Sequence, residues 1–493
     1  MPEKSFHRPD PGRQLRLFLW VLFPALFLYW AYLSFVTQMI VVHDSVNYEF
    51  LGRLIKDQGF PAYFQTGPHR EPFYPILIAL AMRLAEGMSL SYQTVLKVLQ
   101  FIFLFLTQLL ALRLMVRLNI SPVLTGICLF YMGISPAFVN AALSLYSEIA
   151  AFPFAVLIVL AGGRVWTSLA EAPPRKAALG GAGLGAVFVF ATLSKAIFQL
   201  VAALFIAGFA AVAVSAVLRK QPKTFRNILC FLAAFVLVYQ GAVTCYKWAN
   251  WTGNGTFTFT DRGAWALYGS TARRMEPLPG HRLLAAVAFA PGEEFCGKVA
   301  NPEDCVFWSY RTSDDLGVNK LYELIGQGMS NQDINRTLLR FSIEKAVHNP
   351  AQYAILMAVE GLKMFFWEST GIGFVAYPDW LSAAHSLPLF KHGLRYLLAI
   401  LTVLALGYGI LVSWRGRRAV FCLSPPPEDR VLITGWITAL ILAHIISYSF
   451  FFILNRYVLP LAPLYIILIA LFLQKCFRTT TRRSIPKRSA KAG

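Results

Sequence analysis

Charged residues are scarce in this chain of 493 residues: only 14% are charged, whereas an ordinary soluble domain carries roughly 25%. With 57% hydrophobic residues, the chain is not built for water as its main solvent. We find no internal repeat, no low-complexity segment and no cysteine spacing that resembles a zinc site. Gly181 and Gly185 form a GxxxG spacing without a following Gly-Lys-Ser/Thr, which excludes a P-loop and predicts close helix packing.

Apolar runs of about 20 residues, the length that spans a bilayer, recur along most of the chain. We predict membrane crossings at residues 15–41, 93–117, 121–140, 143–163, 178–193, 196–218, 227–248, 393–413, 431–453 and 457–476. The first run is too long for the apolar region of a signal peptide, so we expect it to remain attached. The pattern predicts an all-α polytopic membrane protein with about ten full crossings.

Two further apolar stretches, 73–88 and 352–370, are predicted not to cross. The first has only about 16 apolar residues, fewer than a full span needs. The second carries Glu360, Lys363 and Glu368, each of which is costly at the centre of a bilayer. Both stretches are therefore expected to be re-entrant or interfacial helices on the outer face of the membrane.

The net charge of +20 is concentrated at the ends of the apolar runs, which favours membrane orientation over nucleic-acid binding. Because loops rich in Lys and Arg stay in the cytoplasm, both termini are predicted to be cytoplasmic. Residues 42–92, 140–146, 193–196 and 249–392 should then lie outside, in an integral membrane protein of the bacterial inner-membrane type. The basic clusters are Lys4, Arg8, Arg13 and Arg16; Arg164, Arg175 and Lys176; Arg219, Lys220, Lys223 and Arg226; Arg415, Arg417 and Arg418; and the tail from Arg478 to Lys491.

This topology divides the chain into four parts. Residues 1–248 form an N-terminal transmembrane module with the outer loop 42–92, and residues 249–350 an extracytoplasmic cap. Residues 351–476 add interfacial and transmembrane helices, and residues 477–493 a basic cytoplasmic tail. Cys296 and Cys305 lie nine positions apart in the cap, an oxidising setting, so we predict a disulfide between them.

Five charged residues fall at outer helix ends, where simple cytoplasmic anchoring does not explain them: Asp44, Arg70, Glu148, Lys195 and Arg456. Ionisable residues at such places are functional candidates. Cations can hold a phosphate leaving group whose negative charge grows as its bond breaks. A carboxylate can take the proton of an attacking hydroxyl. The competing interpretation is that each charge only caps a helix or anchors it at the interface.

The order of short motifs resembles that of membrane-embedded GT-C glycosyltransferases, in particular bacterial relatives of protein O-mannosyltransferases and lipid A aminoarabinose transferases. The similarity extends over nearly the whole chain. The motifs are Asp44-x-x-x-Tyr48 with Arg53 and Gly59, Arg70-Glu71-Pro72-Phe73-Tyr74-Pro75, Ser147-Glu148, Ser194-Lys195, Asn349-Pro350-x-x-Tyr353, and Arg456-Tyr457-x-x-Pro460-x-x-Pro463. Three positions depart from the family pattern: Ser45 replaces the second acid of an Asp-Glu pair, Gly52 replaces alanine, and Glu71 replaces a proline.

The resemblance implies a GT-C helical bundle that transfers a sugar, with inversion, from a polyprenyl-phosphate donor on the extracytoplasmic face. Asp44 would be the general base and Glu148 a second active-site acid. Arg70, Lys195 and Arg456 would bind the donor phosphate, and Tyr48 and Tyr457 would line the substrate site. The acceptor (a lipid, a glycan or a protein) and a role for a divalent metal stay open.

Two other classes of function are compatible with a polytopic chain. A secondary transporter or lipid flippase would tend to show inverted repeats and charges at the middle of the membrane. Here we detect no repeat, and the charges lie at helix ends. A non-catalytic scaffold that keeps the fold would be expected to lose the aspartate, which is present as Asp44.

Overall fold

The computed structural model describes residues 11–169, 172–371, 373–422 and 428–483, and most of this chain is helical. Lys4, Arg8 and residues 484–493 of the predicted basic tail lie outside the described residues. The N-terminal half contains α1 (Pro11–Val36), β1 (Gln38–Met39), α2 (Asp44–Gln65), α3 (Phe73–Met88), α4 (Tyr92–Arg117), α5 (Pro122–Ile134), α6 (Pro136–Leu143), α7 (Glu148–Leu169), α8 (Pro174–Ser194), α9 (Phe198–Leu218) and α10 (Pro222–Asn254).

The second half begins with six helices of the cap and ends with further membrane helices. The cap helices are α11 (Arg262–Arg274), α12 (Gly280–Ala288), α13 (Glu293–Val299), α14 (Pro302–Phe307), α15 (Tyr310–Gly326) and α16 (Asn331–His348). They are followed by α17 (Pro350–Leu362), a 3₁₀ turn (Lys363–Phe365), β2 (Val375–Ala376), α18 (Asp379–Ser386), a π-helical turn (Leu389–Gly393), α19 (Leu394–Cys422), α20 (Asp429–Ser449), a 3₁₀ segment (Asn455–Leu461) and α21 (Ala462–Arg483).

Nine helices in the described part of the chain are long and apolar enough to cross a membrane. A tenth crossing results if α5 and α6, which meet at a 43° bend, are taken together as one span. Helix α3 has 16 residues and α17 has 13, so neither is long enough for a full span. These findings confirm an integral, all-α, polytopic membrane protein.

Several predicted boundaries are wrong. The first crossing was expected to run to residue 41, but α1 ends at Val36 and the chain continues as β1. The crossing at 121–140 is broken at Ser135, because Pro136 cannot continue the hydrogen bonding of α5. The crossing predicted at 227–248 is longer at both ends: α10 begins at Pro222, continues to Asn254 and is followed by Gly255, which has φ of 75°.

The bundle has two chemically different ends. Following the alternating direction of the helices, the basic clusters at 164–176, 219–226 and 415 come to one end, which we call the basic end. There the Nε of Arg117 lies 3.0 Å from a carboxylate oxygen of Asp429, joining the end of α4 to the start of α20. The start of α7 and the end of α8 come to the opposite end, which we call the cavity end.

The glycine pair of α8 permits the close helix packing that its spacing predicts. A Cβ atom added to Gly181 would lie 2.1 Å from the carbonyl oxygen of Phe231 on α10, and one added to Gly185 would lie 3.0 Å from that of Phe235. Larger residues would therefore force α8 and α10 apart. This confirms the interpretation of the GxxxG spacing as a packing motif.

The cap is a small helical unit with its own cores. Cys296 and Cys305 are joined by a disulfide and are buried with Trp308 and Leu356. Helices α11 and α15 approach each other most closely at two glycines: a Cβ atom on Gly269 would lie 1.9 Å from the carbonyl oxygen of Ser313, and one on Gly317 would lie 2.4 Å from that of Trp265.

Buried arginines at the end of α11 attach the cap to the membrane helices. The guanidinium of Arg273 donates to Glu360 of α17 at 3.0 Å, and Arg274 donates to the carbonyl oxygens of Phe450 and Phe451 at 3.1 and 2.7 Å. Glu360 also accepts from Lys363 at 2.8 Å and from the backbone of Ile453 at 2.8 Å. Glu360 and Lys363 are thus buried but paired, whereas Glu368 is buried and accepts hydrogen bonds from the hydroxyl of Ser135 and the amide of Ala137.

Candidate active-site cavity

A cavity of about 650 Å³ opens at the cavity end of the bundle, beneath the cap. Its wall contains side chains from the α1–α2 junction, the α2–α3 loop, the start of α7, the α8–α9 junction, the cap and the segment after α20. All seven residues predicted to form the site line this one cavity: Asp44, Tyr48, Arg70, Glu148, Lys195, Arg456 and Tyr457.

Asp44 is the first residue of α2, and the preceding turn fixes its position. His43 has φ of 54° and ψ of −125°, a conformation that is strained for a residue other than glycine. The hydroxyl of Ser45 stabilises the turn by donating to the carbonyl oxygen of Val42 at 2.6 Å and accepting from its amide at 2.7 Å. The turn therefore places the Asp44 carboxylate at a helix N-terminus, where negative charge is favoured.

Three arginines surround the carboxylate of Asp44. Arg70 donates to Oδ1 at 2.5 Å, Arg456 donates to Oδ2, and Arg262 lies 3.5 Å from Oδ1. Burial alone would raise the pKa of Asp44, but Arg70, Arg456 and Arg262 outweigh it, so the pKa is lowered. Asp44 is therefore ionised at neutral pH, with each of its oxygens facing a cation.

Arg70 is held by aromatic residues of α2. The hydroxyl of Tyr63 donates to the backbone carbonyl of Arg70 at 2.7 Å. The guanidinium lies 4.9 Å from the centre of the Tyr48 ring, a cation–π distance, and the side chain is only 8% exposed. The hydroxyl of Tyr48 in turn forms a hydrogen bond of 3.0 Å with that of Ser147. These contacts connect the α2–α3 loop to the start of α7.

Glu148 and Lys195 form a second ion pair in the cavity wall, and this pair is buried. The Nζ of Lys195 donates to Oε1 of Glu148 at 2.8 Å, and the two side chains are 10% and 2% exposed. Burial alone would lower the pKa of Lys195, but the charge of Glu148 outweighs it and the pKa is raised. The second oxygen of Glu148, Oε2, is buried without a hydrogen-bond partner among the described residues.

Arg456 connects the two carboxylates. It pairs with Asp44 through Nη2, and its Nε lies 4.0 Å from Oε1 of Glu148. Its guanidinium also lies over the ring of Tyr146, 4.5 Å from the centroid. The neighbouring Tyr457 stacks on Tyr448 of α20 with ring centroids 5.1 Å apart. The segment after α20 thus supplies both a cation and an aromatic wall.

Three charged residues of the cavity were not predicted as site residues. Glu71 accepts from the backbone amide of Ala196 at 2.8 Å, and so joins the α2–α3 loop to the α8–α9 junction. Its place directly after Arg70 in the motif was the available signal. Arg262 and Asp314 come from the cap helices α11 and α15, and nothing in their local sequence marks them.

The carboxylates of the cavity do not fit a metal site. In the described part of the chain, no group of three or more His, Cys, Asp or Glu side chains is arranged to hold a metal ion. Both oxygens of Asp44 and Oε1 of Glu148 are instead paired with Arg and Lys side chains, whose positive charge disfavours a metal cation beside them. We therefore assign no step to a metal.

The arrangement suits a ligand that is anionic at one position and hydroxylated at another. Cations already placed around the cavity can exchange a protein carboxylate for a phosphate, and a freed carboxylate can accept a proton. Comparisons with protein-family models and with curated proteins found no match to this chain.

Proposed function

We propose that this protein is a membrane glycosyltransferase of the GT-C type, which transfers a sugar from a polyprenyl-phosphate donor to an acceptor hydroxyl on the extracytoplasmic face. The observation that carries the proposal is the pairing of Asp44 with Arg70 and Arg456 in the wall of one large cavity. A general base and phosphate-binding cations are the groups that such a transfer needs.

In the proposed reaction, the donor phosphate takes over the guanidinium groups that now contact Asp44. The freed carboxylate removes the proton of the acceptor hydroxyl as its oxygen attacks the anomeric carbon. A bond forms from that oxygen to the anomeric carbon, and the bond from the anomeric carbon to the phosphate oxygen breaks. The electron pair leaves with the polyprenyl phosphate, the proton stays on Asp44, and the configuration at the anomeric carbon inverts.

The cations have different tasks in this scheme. Arg70 and Arg456 have planar guanidinium groups that can contact two phosphate oxygens at once, whereas Lys195 supplies a point charge. Arg456 lies between Asp44 and Glu148, and when it turns to the phosphate Glu148 keeps its ion pair with Lys195. Glu148 would orient the acceptor or Lys195, and Tyr48 and Tyr457 would form the walls of the substrate site.

An apolar groove beside the cavity is consistent with a lipid-linked donor. It has a volume of about 360 Å³ and is lined by α7, α8, α9, α19 and α20. On α9, Ile197 precedes the helix and lines the cavity, whereas Val201, one turn later, lines the groove. A phosphate held in the cavity would therefore have an apolar surface for its hydrocarbon chain within one helical turn.

The proposal is tested by transfer from a panel of polyprenyl-phosphate sugars, with lipid binding measured separately. We expect Asp44→Asn to lower transfer about 10²–10⁴-fold while polyprenyl phosphate still binds, because only the proton acceptor is lost. Arg456→Ala should instead weaken the binding of polyprenyl phosphate, because a charge-assisted contact is lost. Asp57→Asn, an exposed position on the same helix as Asp44, and Arg336→Ala, an exposed position in the cap, are the matched controls.

Other outcomes would favour the competing classes. Wild-type transfer rates in a folded Asp44→Asn variant would make Asp44 a helix-end charge and Glu148 the leading base. Lipid movement across vesicles without sugar transfer would indicate a transporter or flippase. Binding of the lipid without either activity, in the wild-type protein and with every sugar donor, would indicate a scaffold.

A further inference from the structure

The cavity has two faces with different chemistry. On the membrane face, the five charged side chains predicted from the sequence are all engaged in ion pairs with one another. The cap face is formed by α11 and α15 and presents Arg262, Trp265, Tyr310 and Asp314. The paired charges of the membrane face suit a phosphate, whereas the cap face combines aromatic rings with a carboxylate.

Asp314 is a free hydrogen-bond acceptor on the cap face. Its side chain is partly buried and lines the cavity, yet it forms no ion pair or hydrogen bond with any residue in the described ranges. Burial raises the pKa of Asp314, while the charge of Arg262 opposes that shift. An ionised carboxylate can accept hydrogen bonds at both oxygens, so Asp314 can bind donors that enter the cavity.

Aromatic rings lie beside this carboxylate. Tyr310 and Asp314 are four residues apart on α15 and therefore share one face of the helix. The Tyr310 side chain is 39% exposed, which leaves part of its ring free for contact. Trp265 of α11 reaches the cavity wall but is only 9% exposed, because it packs in the core of the cap with Leu324 and Ile334. The guanidinium of Arg262 lies 5.4 Å from its ring centre, so Trp265 supports this face from behind.

These groups match the chemistry of a sugar ring. A pyranose presents a face of C–H groups that can pack on an aromatic ring, and hydroxyl groups at its edge that donate hydrogen bonds. A carboxylate accepts such hydrogen bonds, and hydrogen bonds to charged groups are stronger than neutral ones. A phosphate, by contrast, would be repelled by Asp314.

The cap holds this face in a fixed geometry. The contact of Gly269 with Ser313 places α11 against α15 one residue before Asp314, and Gly317 contacts the backbone of Trp265. Arg262 extends from the same helix as Trp265 to within 3.5 Å of Asp44. The aromatic rings and Asp314 are thus positioned relative to the proposed catalytic carboxylate.

We propose that Tyr310 and Asp314, supported from behind by Trp265, form a saccharide-binding subsite on the cap face of the cavity. The subsite deepens the proposed function, on which it rests, because it assigns a carbohydrate to the cap side of the reaction. Two sources of that carbohydrate share the same chemistry: a glycan acceptor, or the sugar of the lipid-linked donor.

Direct binding to the full-length protein in detergent tests the subsite without any assay of transfer. A panel of soluble mono- and oligosaccharides is measured by saturation-transfer NMR and by tryptophan fluorescence. We expect millimolar or tighter binding of at least one saccharide, and a Kd raised about tenfold or more in Asp314→Ala, because a charge-assisted hydrogen bond is lost. Tyr310→Ala should weaken binding as well, and the exposed neighbour Asp315→Ala is the matched control.

Competition identifies the source of the sugar. Competition by a polyprenyl-phosphate sugar, but not by polyprenyl phosphate, would assign the subsite to the donor sugar. Saccharide binding that persists with saturating polyprenyl-phosphate sugar would assign it to a glycan acceptor. Failure of every saccharide to bind, or an unchanged Kd in Asp314→Ala, would overturn the subsite. Either result would leave the proposed function untouched if Asp44→Asn still abolished transfer.

Discussion

Asp44 and Arg456 lie 412 positions apart in the chain, and an ion pair joins their side chains in the wall of the cavity. The pair connects the first residue of α2 to the segment between α20 and α21. With Arg70 on the other carboxylate oxygen, it keeps Asp44 charged and held in place. A ligand that draws either arginine away therefore changes the basicity of Asp44 at the same moment that it binds.

The pH dependence of transfer should show this control of Asp44. Burial disfavours the charged form, but Arg70, Arg456 and Arg262 outweigh it and lower the pKa of Asp44 below its ordinary value of about 4. Asp44 then stays ionised as the pH falls from neutrality, so we expect kcat/KM, which reports the free enzyme, to show no acidic limb assignable to Asp44 above about pH 4.

Removing one of the three arginines around Asp44 should raise the pKa of Asp44. We expect Arg262→Ala to move the acidic limb of the kcat/KM profile toward neutral pH, because less positive charge then opposes protonation. Arg336→Ala, an exposed cap position, should leave the profile unchanged. Coincident profiles for Arg262→Ala and the wild-type protein would show that Arg262 does not act on Asp44.

Replacing only one partner of the buried Glu148–Lys195 ion pair should lower the free energy of unfolding. Lys195→Met leaves a buried carboxylate without its nearest cation, which typically costs about 3–5 kcal/mol of unfolding free energy. The double variant Lys195→Met/Glu148→Gln should recover part of this loss, because no buried charge is left unpaired. Chemical unfolding in detergent, followed by tryptophan fluorescence, measures Lys195→Met, Glu148→Gln and the double variant. Strictly additive losses would show that the two charges do not stabilise each other.

The sequence was sufficient to find the membrane face of the cavity. Asp44, Glu148 and Lys195 lie at the ends of apolar runs. Counting the crossings between them places all three on the same side of the membrane, and in the structure they line one cavity. The bend at Ser135 was missed because the apolar run continues through Pro136 without a change in hydropathy. The charged residues of the 352–370 stretch predicted that it does not cross the membrane, and α17 is indeed too short to do so.

The cap face could not be found in the same way. Arg262 and Asp314 lie in a segment with many charged residues, and helical periodicity does not tell which of its faces meets the membrane domain. Their position depends on contacts between distant elements: Arg274 with the carbonyl oxygens after α20, and Gly269 with α15. Tertiary packing of this kind leaves no local pattern.

Membrane orientation can be tested by labelling single cysteines in a background from which the five cysteines outside the disulfide have been removed. If the basic end faces the cytoplasm, Gly280→Cys in the cap should react with an impermeant maleimide in intact cells. Lys223→Cys at the basic end should react only after permeabilisation. The opposite pattern would place the cavity in the cytoplasm and would contradict the proposed use of an extracytoplasmic lipid donor.

The closest approach of α11 and α15 should determine both the stability of the cap and the shape of its saccharide subsite. A methyl group on Gly269 would lie 1.9 Å from the carbonyl oxygen of Ser313, so Gly269→Ala must push the two helices apart. Overpacking of this kind typically costs about 1–3 kcal/mol. We therefore expect Gly269→Ala to make the cap more sensitive to protease and to weaken saccharide binding.

Gly326→Ala at the end of α15 is the matched control, because nothing lies within 4 Å of its added Cβ atom. Alanine is favoured over glycine in a helix by about 1 kcal/mol, so this control should be neutral or stabilising. Limited proteolysis of the two variants, with the membrane helices as an internal reference, separates loosening of the cap from global unfolding. Equal protease resistance and equal saccharide affinity in both variants would show that the α11–α15 contact does not hold the subsite together.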